Sequence, residues 1–591
     1  MRWTRPSLAV IAAALLATSC SAGAGSTGGA AGAGAAGAAG AAAKETSPLT
    51  ATLGTEQQSA GPAPAVPGAR AGGTVNVYNS VEFRHLDPQK VYAGAAYNAS
   101  LLWGRQLTQY QVVDGKATLV GDLATDTGTP ADGGRTWTYR LKPGVAWEDG
   151  QPITAQDVKY GIERSFGKGY EVGPPYWPQW LTGAPDYEAA RARYAGPQDG
   201  DLAAIETPDE RTVVFHFPQP QADVPYMAAQ SSSSPVRRDK DTGTEYDRRP
   251  FATGPYRIVE HVQNTRMVLE RNPYWKAESD PIRHQYPERF VFTYGKEALN
   301  LNQEILSGRD GGADATTASD TLSPELYQTA DTDPKAKDLV VSGRQGAFVT
   351  QLVINNERVP DVEVRKALHL AYPRRQARQV QGGARTGELA TTLSSPALID
   401  WQAYDLLPAK PEGDPEAAKA QLAKAKQAPG SLSYAYRNTP NGQRVAQVLV
   451  DGFAKAGITV VPKPIDPKAF LDEVHRADSP YDLFEETSSV DWPTPSTLIP
   501  FSFDGRAGSD INSARYRNPE VDKEIDRING IGEPRAKAKE LYALEQTVMK
   551  DLPVLPFAYP TVNQLRGSNL GGAFIHPIYG TVSLAWLYLK S

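Results

Sequence analysis

The chain has 591 residues, 40% hydrophobic and 22% charged, with a formal charge of −6 and one cysteine. That length exceeds a single compact core, which stops growing near ~250–300 residues, so two or more lobes are expected in an otherwise ordinary globular chain. Mild acidity without clustered Lys and Arg argues against nucleic acid as a partner, and a lone thiol cannot build a disulfide framework.

At the start, Arg2 and Arg5 precede an uncharged run from Leu8 to Ala17, followed by Thr18, Ser19 and Cys20. This is the layout of a secretory signal over residues 1–19, too short to span a bilayer as a mature anchor. A cysteine closing the apolar run resembles the lipobox of bacterial lipoproteins, in which the thiol receives a diacylglyceryl group and becomes the first mature residue. The register departs from that pattern, because Leu16 lies one place further from Cys20 than the usual leucine, with Ala17 in its place. Lipidation at Cys20 is the expectation, and a plain cleaved signal with an incidental cysteine is the alternative. Loss of residues 1–19 removes two arginines and no acid, leaving 59 basic against 67 acidic side chains.

Residues 20–72 are rich in Gly, Ala, Ser, Thr and Pro, too poor in apolar surface to fold, and read as a flexible tether. The run Gly23-Ala24-Gly25-Ser26-Thr27-Gly28 matches the dinucleotide-binding glycine pattern literally. No strand precedes it and no helix follows, so it is rejected. The folded body is expected from Gly72 or Gly73. Val75 and Val77 alternate as a strand, and Asp114-Gly115 sits in the Tyr110–Lys116 stretch as a hairpin turn. Thr136–Leu141 alternates again. Thr154 with Asp157 reads as a capping box opening a helix whose Val158, Ile162 and Phe166 share one face. Further strands are expected at Arg211–Phe217, Tyr256–Val259 and Met267–Glu270.

After Phe348 helices dominate: Val362–Tyr372, Pro415–Gln427 and Gln443–Ala456, the last ended by Gly457 and followed by a strand, Ile458–Val461. A final helix, Arg535–Lys550, precedes the segment Leu552–Tyr559. Helices alternating with strands predict an α/β lobe.

Enzymatic signatures are missing from the sequence. The seven histidines, His85, His216, His261, His284, His369, His475 and His576, form no local metal motif. There is no Gly-x-Ser-x-Gly elbow and no phosphate-cradling loop. Glu148, Asp149, Glu485 and Glu486 offer the carboxylates of a glycosidase pair, but solvated or structural acids are the commoner case. The chain is read as a non-enzyme with no catalytic residue, no metal and no cofactor.

The stretch Leu141-Lys-Pro-Gly-Val-Ala-Trp147-Glu-Asp149-Gly150-Gln-Pro152-Ile-Thr154-Ala155-Gln-Asp157-Val158 resembles a signature of the solute-binding proteins of peptide-type ABC importers. Further matches to this oligopeptide- and dipeptide-binding family follow in order: Thr253-Gly254-Pro255-Tyr256, Arg271-Asn272-Pro-Tyr274-Trp275, Val364-Arg365-Lys-Ala367-Leu368, Tyr481-Asp482-Leu483 and Tyr516-Arg-Asn518-Pro519-Glu-Val-Asp522. The resemblance implies an α/β fold, a two-lobed periplasmic-binding-protein-like clamp with an extra subdomain in the N-terminal lobe. The N-terminal lobe is expected over 73–347 plus 562–591 and the C-terminal lobe over 348–561. The signature residues are expected to be structural, Trp147 and Pro152 fixing a strand and turn.

In that family an aspartate after the Tyr-Asp-Leu strand holds the ligand's α-ammonium, and Asp491 in Ser488-Ser489-Val490-Asp491-Trp492-Pro493 falls on it. The implied ligand-binding residues are Asp491, Trp492, Arg437, Tyr92 and Tyr97. Four of them have a bland alternative: Asp491 as a turn aspartate, Arg437 as a solvated loop arginine, Tyr92 and Tyr97 as packed tyrosines. Relatives often carry Trp and sometimes Arg just before the aspartate, where this chain has Glu485, Glu486, Thr487, Ser488 and Ser489. The implied function is capture of short peptides in the interlobe cleft and delivery to a membrane permease with separate ATPase chains. The protein is expected as a monomer, lipid-anchored on the outer face of the bacterial cytoplasmic membrane. An oligosaccharide or other small solute, or a sensing role, stays open beside it. Replacing Cys20→Ser is expected to release the protein into the medium or leave it unprocessed. Detergent partitioning reads this, and unchanged membrane retention removes the lipoprotein reading.

Overall fold

A computed structural model describes residues 52–92, 94–509 and 511–590. The expected signal, Cys20 and most of the expected tether lie outside those residues. The remainder of that tether folds. Thr52–Leu53 adds a parallel strand to Lys116–Gly121, the Ser59 hydroxyl accepts the Gly121 N–H at 2.8 Å, and Ser59 is fully buried. Composition marked residues 52–72 as unfoldable, but a segment with little apolar area of its own can dock by hydrogen bonds to a preformed sheet edge.

Among the described residues the first lobe contains three sheets of three or more strands and the two-stranded pair Leu570–Gly571 with Tyr588–Leu589. Thr74–Tyr78 lies within a five-stranded sheet, parallel to Ala315–Thr317 on one side and Arg289–Thr293 on the other, with Arg266–Arg271 and Tyr256–Val262 beyond. The second is the hairpin Thr108–Val113 with Lys116–Gly121, to which Thr52–Leu53 is added. Its two-residue turn has both central residues at positive φ, Asp114 at 50° and Gly115 at 75°, the geometry whose twist matches the flanking strands. The third sheet orders Thr129–Ala131, Thr136–Arg140, Thr212–His216 and Ile205–Asp209, all antiparallel.

The signature stretch joins these sheets to a helix. Ala146 bridges Pro152, and fully buried Trp147 donates its indole N–H to Asp157 at 3.2 Å. The same carboxylate accepts the Thr154 N–H at 2.9 Å, while the Thr154 hydroxyl accepts the Asp157 N–H. This reciprocal cap opens the helix Ala155–Arg164, and Val158, Ile162 and Phe166 are each 0% exposed. The motif therefore specifies a corner of the core.

Beneath the hairpin lies a buried charge network. Asp122 accepts from Arg105 Nε at 2.7 Å and from Arg283 at 2.7 and 2.9 Å, and Asp280 pairs with Arg283 at 3.2 Å. All four side chains are 2% exposed or less. Lys142 stands beside them, and burial pushes its ammonium down to about 7.

The second lobe is built on one mixed sheet ordered Val340–Arg344, Val554–Leu565, Val349–Ile354, Leu483–Ser488, Leu432–Arg437, Val460–Ile465, with Gly387–Leu389 paired to Val554–Leu565. Helices Val362–Ala371, Pro440–Lys455 and Pro534–Met549 contribute apolar residues to its core, including Leu368, Leu449, Phe453 and Leu541. The helix expected to run to Gln427 ends at Leu422. Asp361, which caps Val362–Ala371, captures the Lys426 N–H at 2.8 Å and pulls the chain out of helix. The strand expected at Ile458–Val461 runs instead over Val460–Ile465, where Pro462 and Pro464 are tolerated because it is an edge strand. Val554–Leu565 is longer than expected, at 12 residues. Its first half pairs with Val349–Ile354 and its second with Val340–Arg344. Leu555 and Phe557 belong to the second lobe's core and Val562 to the first. One strand thus serves both lobes.

Removing Asp122 leaves two buried guanidinium groups sharing the single carboxylate of Asp280, and breaking a buried pair in this way costs about 3–5 kcal/mol. Asp122→Ala is expected to lose that much stability in denaturant unfolding. A loss below about 1 kcal/mol, the scale of an exposed pair, would show that the network contributes little.

Candidate functional site

Leu432–Arg437, Val460–Ile465 and Leu483–Ser488 run parallel, so their carboxyl ends lie at the same side of the sheet. In open α/β sheets that edge forms the ligand crevice. Arg437 ends one of these strands, and Asp491 lies three residues beyond the end of another. The Asp491 segment is held by its own hydroxyls: the Asp491 N–H donates to Thr497 Oγ1 at 3.1 Å, and Thr494 opens a short turn over Pro495–Thr497.

Asp491 reaches the first lobe. Tyr92 donates its hydroxyl to the carboxylate at 3.0 Å, and Tyr176 donates to the same oxygen. Gln230 Nε2 donates to the Asp491 backbone carbonyl at 2.6 Å. Burial pushes the carboxyl of Asp491 up, and the two tyrosine hydroxyls partly offset this; no cation bears on it among the described residues. The next residue, Trp492, is 1% exposed and belongs to the first lobe's aromatic cluster, 4.6 Å from Tyr176 and 5.8 Å from Trp180 between ring centroids.

The seam extends past Trp492. Lys537 and Asp223 form a buried pair across it at 3.2 Å, and the Thr494 hydroxyl donates to the same aspartate at 3.2 Å. Gly532 abuts Gly133 so closely that a Cβ on it would lie 2.3 Å from the Gly133 carbonyl oxygen. A cavity of about 380 Å³ opens on the seam, walled by Tyr176, Trp180 and Asp223 from one lobe and Trp492, Phe501 and Lys537 from the other.

The sequence pattern of the "Bacterial extracellular solute-binding proteins, family 5 Middle" matches residues 118–510. The chain belongs to this family. Among curated relatives of this solute-binding protein is a probable D,D-dipeptide-binding periplasmic protein of Escherichia coli strain K12, 24% identical over 480 residues, covering 79% of this chain and 84% of the relative. Another is a periplasmic oligopeptide-binding protein of Haemophilus influenzae, 23% identical over 504 residues, covering 81% and 87%. Among solved structures, the clavulanic acid biosynthesis oligopeptide binding protein 2 superposes with a TM-score of 0.81 at 29% identity, over 92% of this chain and all of that one. The Haemophilus influenzae oligopeptide-binding protein in complex with RPPGFSPFR gives a TM-score of 0.63 at 20% identity, over 88% of this chain and 100% of the other. These structures share the two-lobed fold.

Of the five residues expected to touch ligand, the structure of this solute-binding protein brings Tyr92 and Asp491 into contact. Tyr97 is 9% exposed and stacks on Tyr579 at 6.0 Å, behind Tyr92. Trp492 lines the seam cavity but is 1% exposed, its ring packed on Tyr176 and Trp180. Arg437 stays on its own strand end, its guanidinium 4.1 Å over the Phe470 ring. The glycosidase pairs dissolve. Glu148 accepts the Ala252 N–H at 3.2 Å and Asp149 pairs with Arg237 at 2.9 Å. Glu485 and Glu486 point to opposite faces of one strand, Glu486 meeting His475 at 2.9 Å and Ser513 at 2.7 Å. Sequence reasoning missed Tyr176, Gln230, Asp223 and Lys537. The dense run Tyr176-Trp177-Pro178-Gln179-Trp180 was the available signal for the first.

No helix among the described residues is long and apolar enough to cross a membrane, and no group of His, Cys, Asp or Glu among them could hold a metal ion. Because the Tyr176 hydroxyl pulls the Asp491 carboxyl down against burial, Tyr176→Phe is expected to move its titration further up. Carbon NMR of the labelled carboxyl reads this. An unchanged or lowered titration would show that Tyr176 is not a donor to it.

Proposed function

We propose that this protein captures short peptides between its lobes and presents them to the permease subunits of an ABC importer powered by separate ATPase chains. The lobes in this reading are 73–347 plus 562–591 and 348–561. The carrying observation is Asp491. A carboxylate withdrawn from water is stable only when matched by charge or by several donors, and here two phenol hydroxyls are its side-chain donors. A ligand's α-ammonium supplies the missing charge and three donors of its own. Tyr92 and Tyr176 come from the other lobe, so a ligand held at this point touches both lobes at once. That difference in affinity between open and closed states is what shifts the population toward closure.

Backbone-directed contacts of this kind tolerate varied side chains. The names of the relatives support the ligand class: a D,D-dipeptide, oligopeptides, and a nonapeptide in one solved complex. The export and anchoring proposed here, a lipid on Cys20 at the outer face of the cytoplasmic membrane and a monomeric protein, rest on the sequence.

Asp491→Asn is expected to weaken a free-amino peptide by roughly ten- to a thousandfold, since stranding one partner of a buried charge pair costs ~3–5 kcal/mol and a charged hydrogen bond is worth ~1.5–3. The N-acetylated peptide should bind the parent protein poorly and lose little more in the variant. Calorimetry on both peptides and both proteins completes the cycle. Equal affinity for free and acetylated peptides would end the ammonium reading and move the ligand toward a neutral solute.

A further inference from the structure

Glu485 is a charged group that the ammonium site leaves unused. It stands on Leu483–Ser488, the strand whose exit carries Asp491. Three elements bring polar groups around it, and Leu352 of Val349–Ile354 is its cross-strand neighbour on the other side. Gln381, ending the helix Arg374–Gln381, donates its amide to Glu485 Oε2 at 3.4 Å. Tyr372, following the helix Val362–Ala371, and Tyr434, on the adjacent strand, stand close enough for its charge to raise their hydroxyls. Arg437 is the one cation bearing on it among the described residues, and no ion pair joins them.

Oε1 has no hydrogen-bond partner among the described residues, yet the side chain keeps partial contact with solvent while protein encloses it. Asp491 shows the same combination of enclosure and partial exposure. Two carboxylates, each without a bonded cation, thus stand on one strand and its exit.

We propose that Glu485 is a second anchor, taking a cationic side chain of the captured peptide, a primary ammonium or a guanidinium, so that this protein selects peptides carrying a basic residue. The proposal rests on the peptide reading above. Its chemistry is a proton exchange. Burial pushes the Glu485 carboxyl up to about 7, with the Gln381 amide and Arg437 pulling it back down, so near neutrality the empty site is partly protonated. A docked cation favours the carboxylate, and the proton leaves to solvent. Binding of a basic peptide therefore strengthens as pH rises through 7, while a neutral peptide at the same position feels no such gain.

The test uses free-amino tetrapeptides with lysine at the second, third or fourth position, each matched to the norleucine analogue. They are titrated calorimetrically into the full chain, Glu485→Gln and Glu485→Asp, at pH 6 and pH 8. At one position lysine is expected to bind at least about tenfold tighter than norleucine, the value of one charge-assisted hydrogen bond. The preference is larger at pH 8. Glu485→Gln should abolish it while keeping the norleucine affinity, which also certifies folding, and Glu485→Asp should keep part of it. Norleucine peptides that bind without any lysine preference overturn the proposal and leave the ammonium site standing. A preference that survives Glu485→Gln overturns it too. Failure of every free-amino peptide, neutral and basic alike, overturns the peptide reading and this proposal with it.

Discussion

The structure depends on one shared strand. Val554–Leu565 gives its first half to the second lobe and its second half to the first, through two successive antiparallel ladders, with Val349–Ile354, where a bulge falls at Thr350/Gln351, and with Val340–Arg344. Sheet hydrogen bonds fix the positions of paired residues to fractions of an ångström. That fixes the line along which the two lobes are joined. That is why Tyr92 and Tyr176, 399 and 315 residues from Asp491 in sequence, reach the same carboxylate oxygen.

Around that strand the two lobes are stabilised differently. The second holds a continuous apolar core between sheet and helices. The first is divided among several sheets and invests in buried polar connections: the Asp122 network, the Trp147–Asp157 bond and the capping box. Polar connections of this kind contribute little net energy but penalise wrong geometry heavily, because an unpaired buried group costs more than a formed bond returns. A lobe assembled from small sheets needs that specificity more than it needs area.

Local chemistry made much of the fold legible in the sequence. Asp114-Gly115 fixes a hairpin whichever lobe it belongs to, and Thr154 with Asp157 opens a helix by contacts three residues apart. Length was less legible, because it is decided by partners. The helix from Pro415 stops when distant Asp361 takes the Lys426 N–H, and Val460–Ile465 extends through two prolines because nothing needs their missing N–H groups at an edge. Residues 52–72 were misread for the same reason: their composition is that of a linker, and the Ser59–Gly121 bond that docks them is invisible along the chain. At the candidate site, Asp491 was singled out through its resemblance to a family position. Its tyrosine partners and the burial of Trp492 were not, since they come from the facing lobe.

The pair between Asp223 and Lys537 has a kinetic meaning. Both groups are nearly dry where the lobes meet, so separating the lobes requires breaking their contact before water can fully rehydrate either charge. A pair of this kind adds little to the equilibrium, because its attraction roughly repays its desolvation. It does raise the barrier between the two arrangements. The expected result is a longer residence time for whatever lies between the lobes, with almost no change in how tightly it is held.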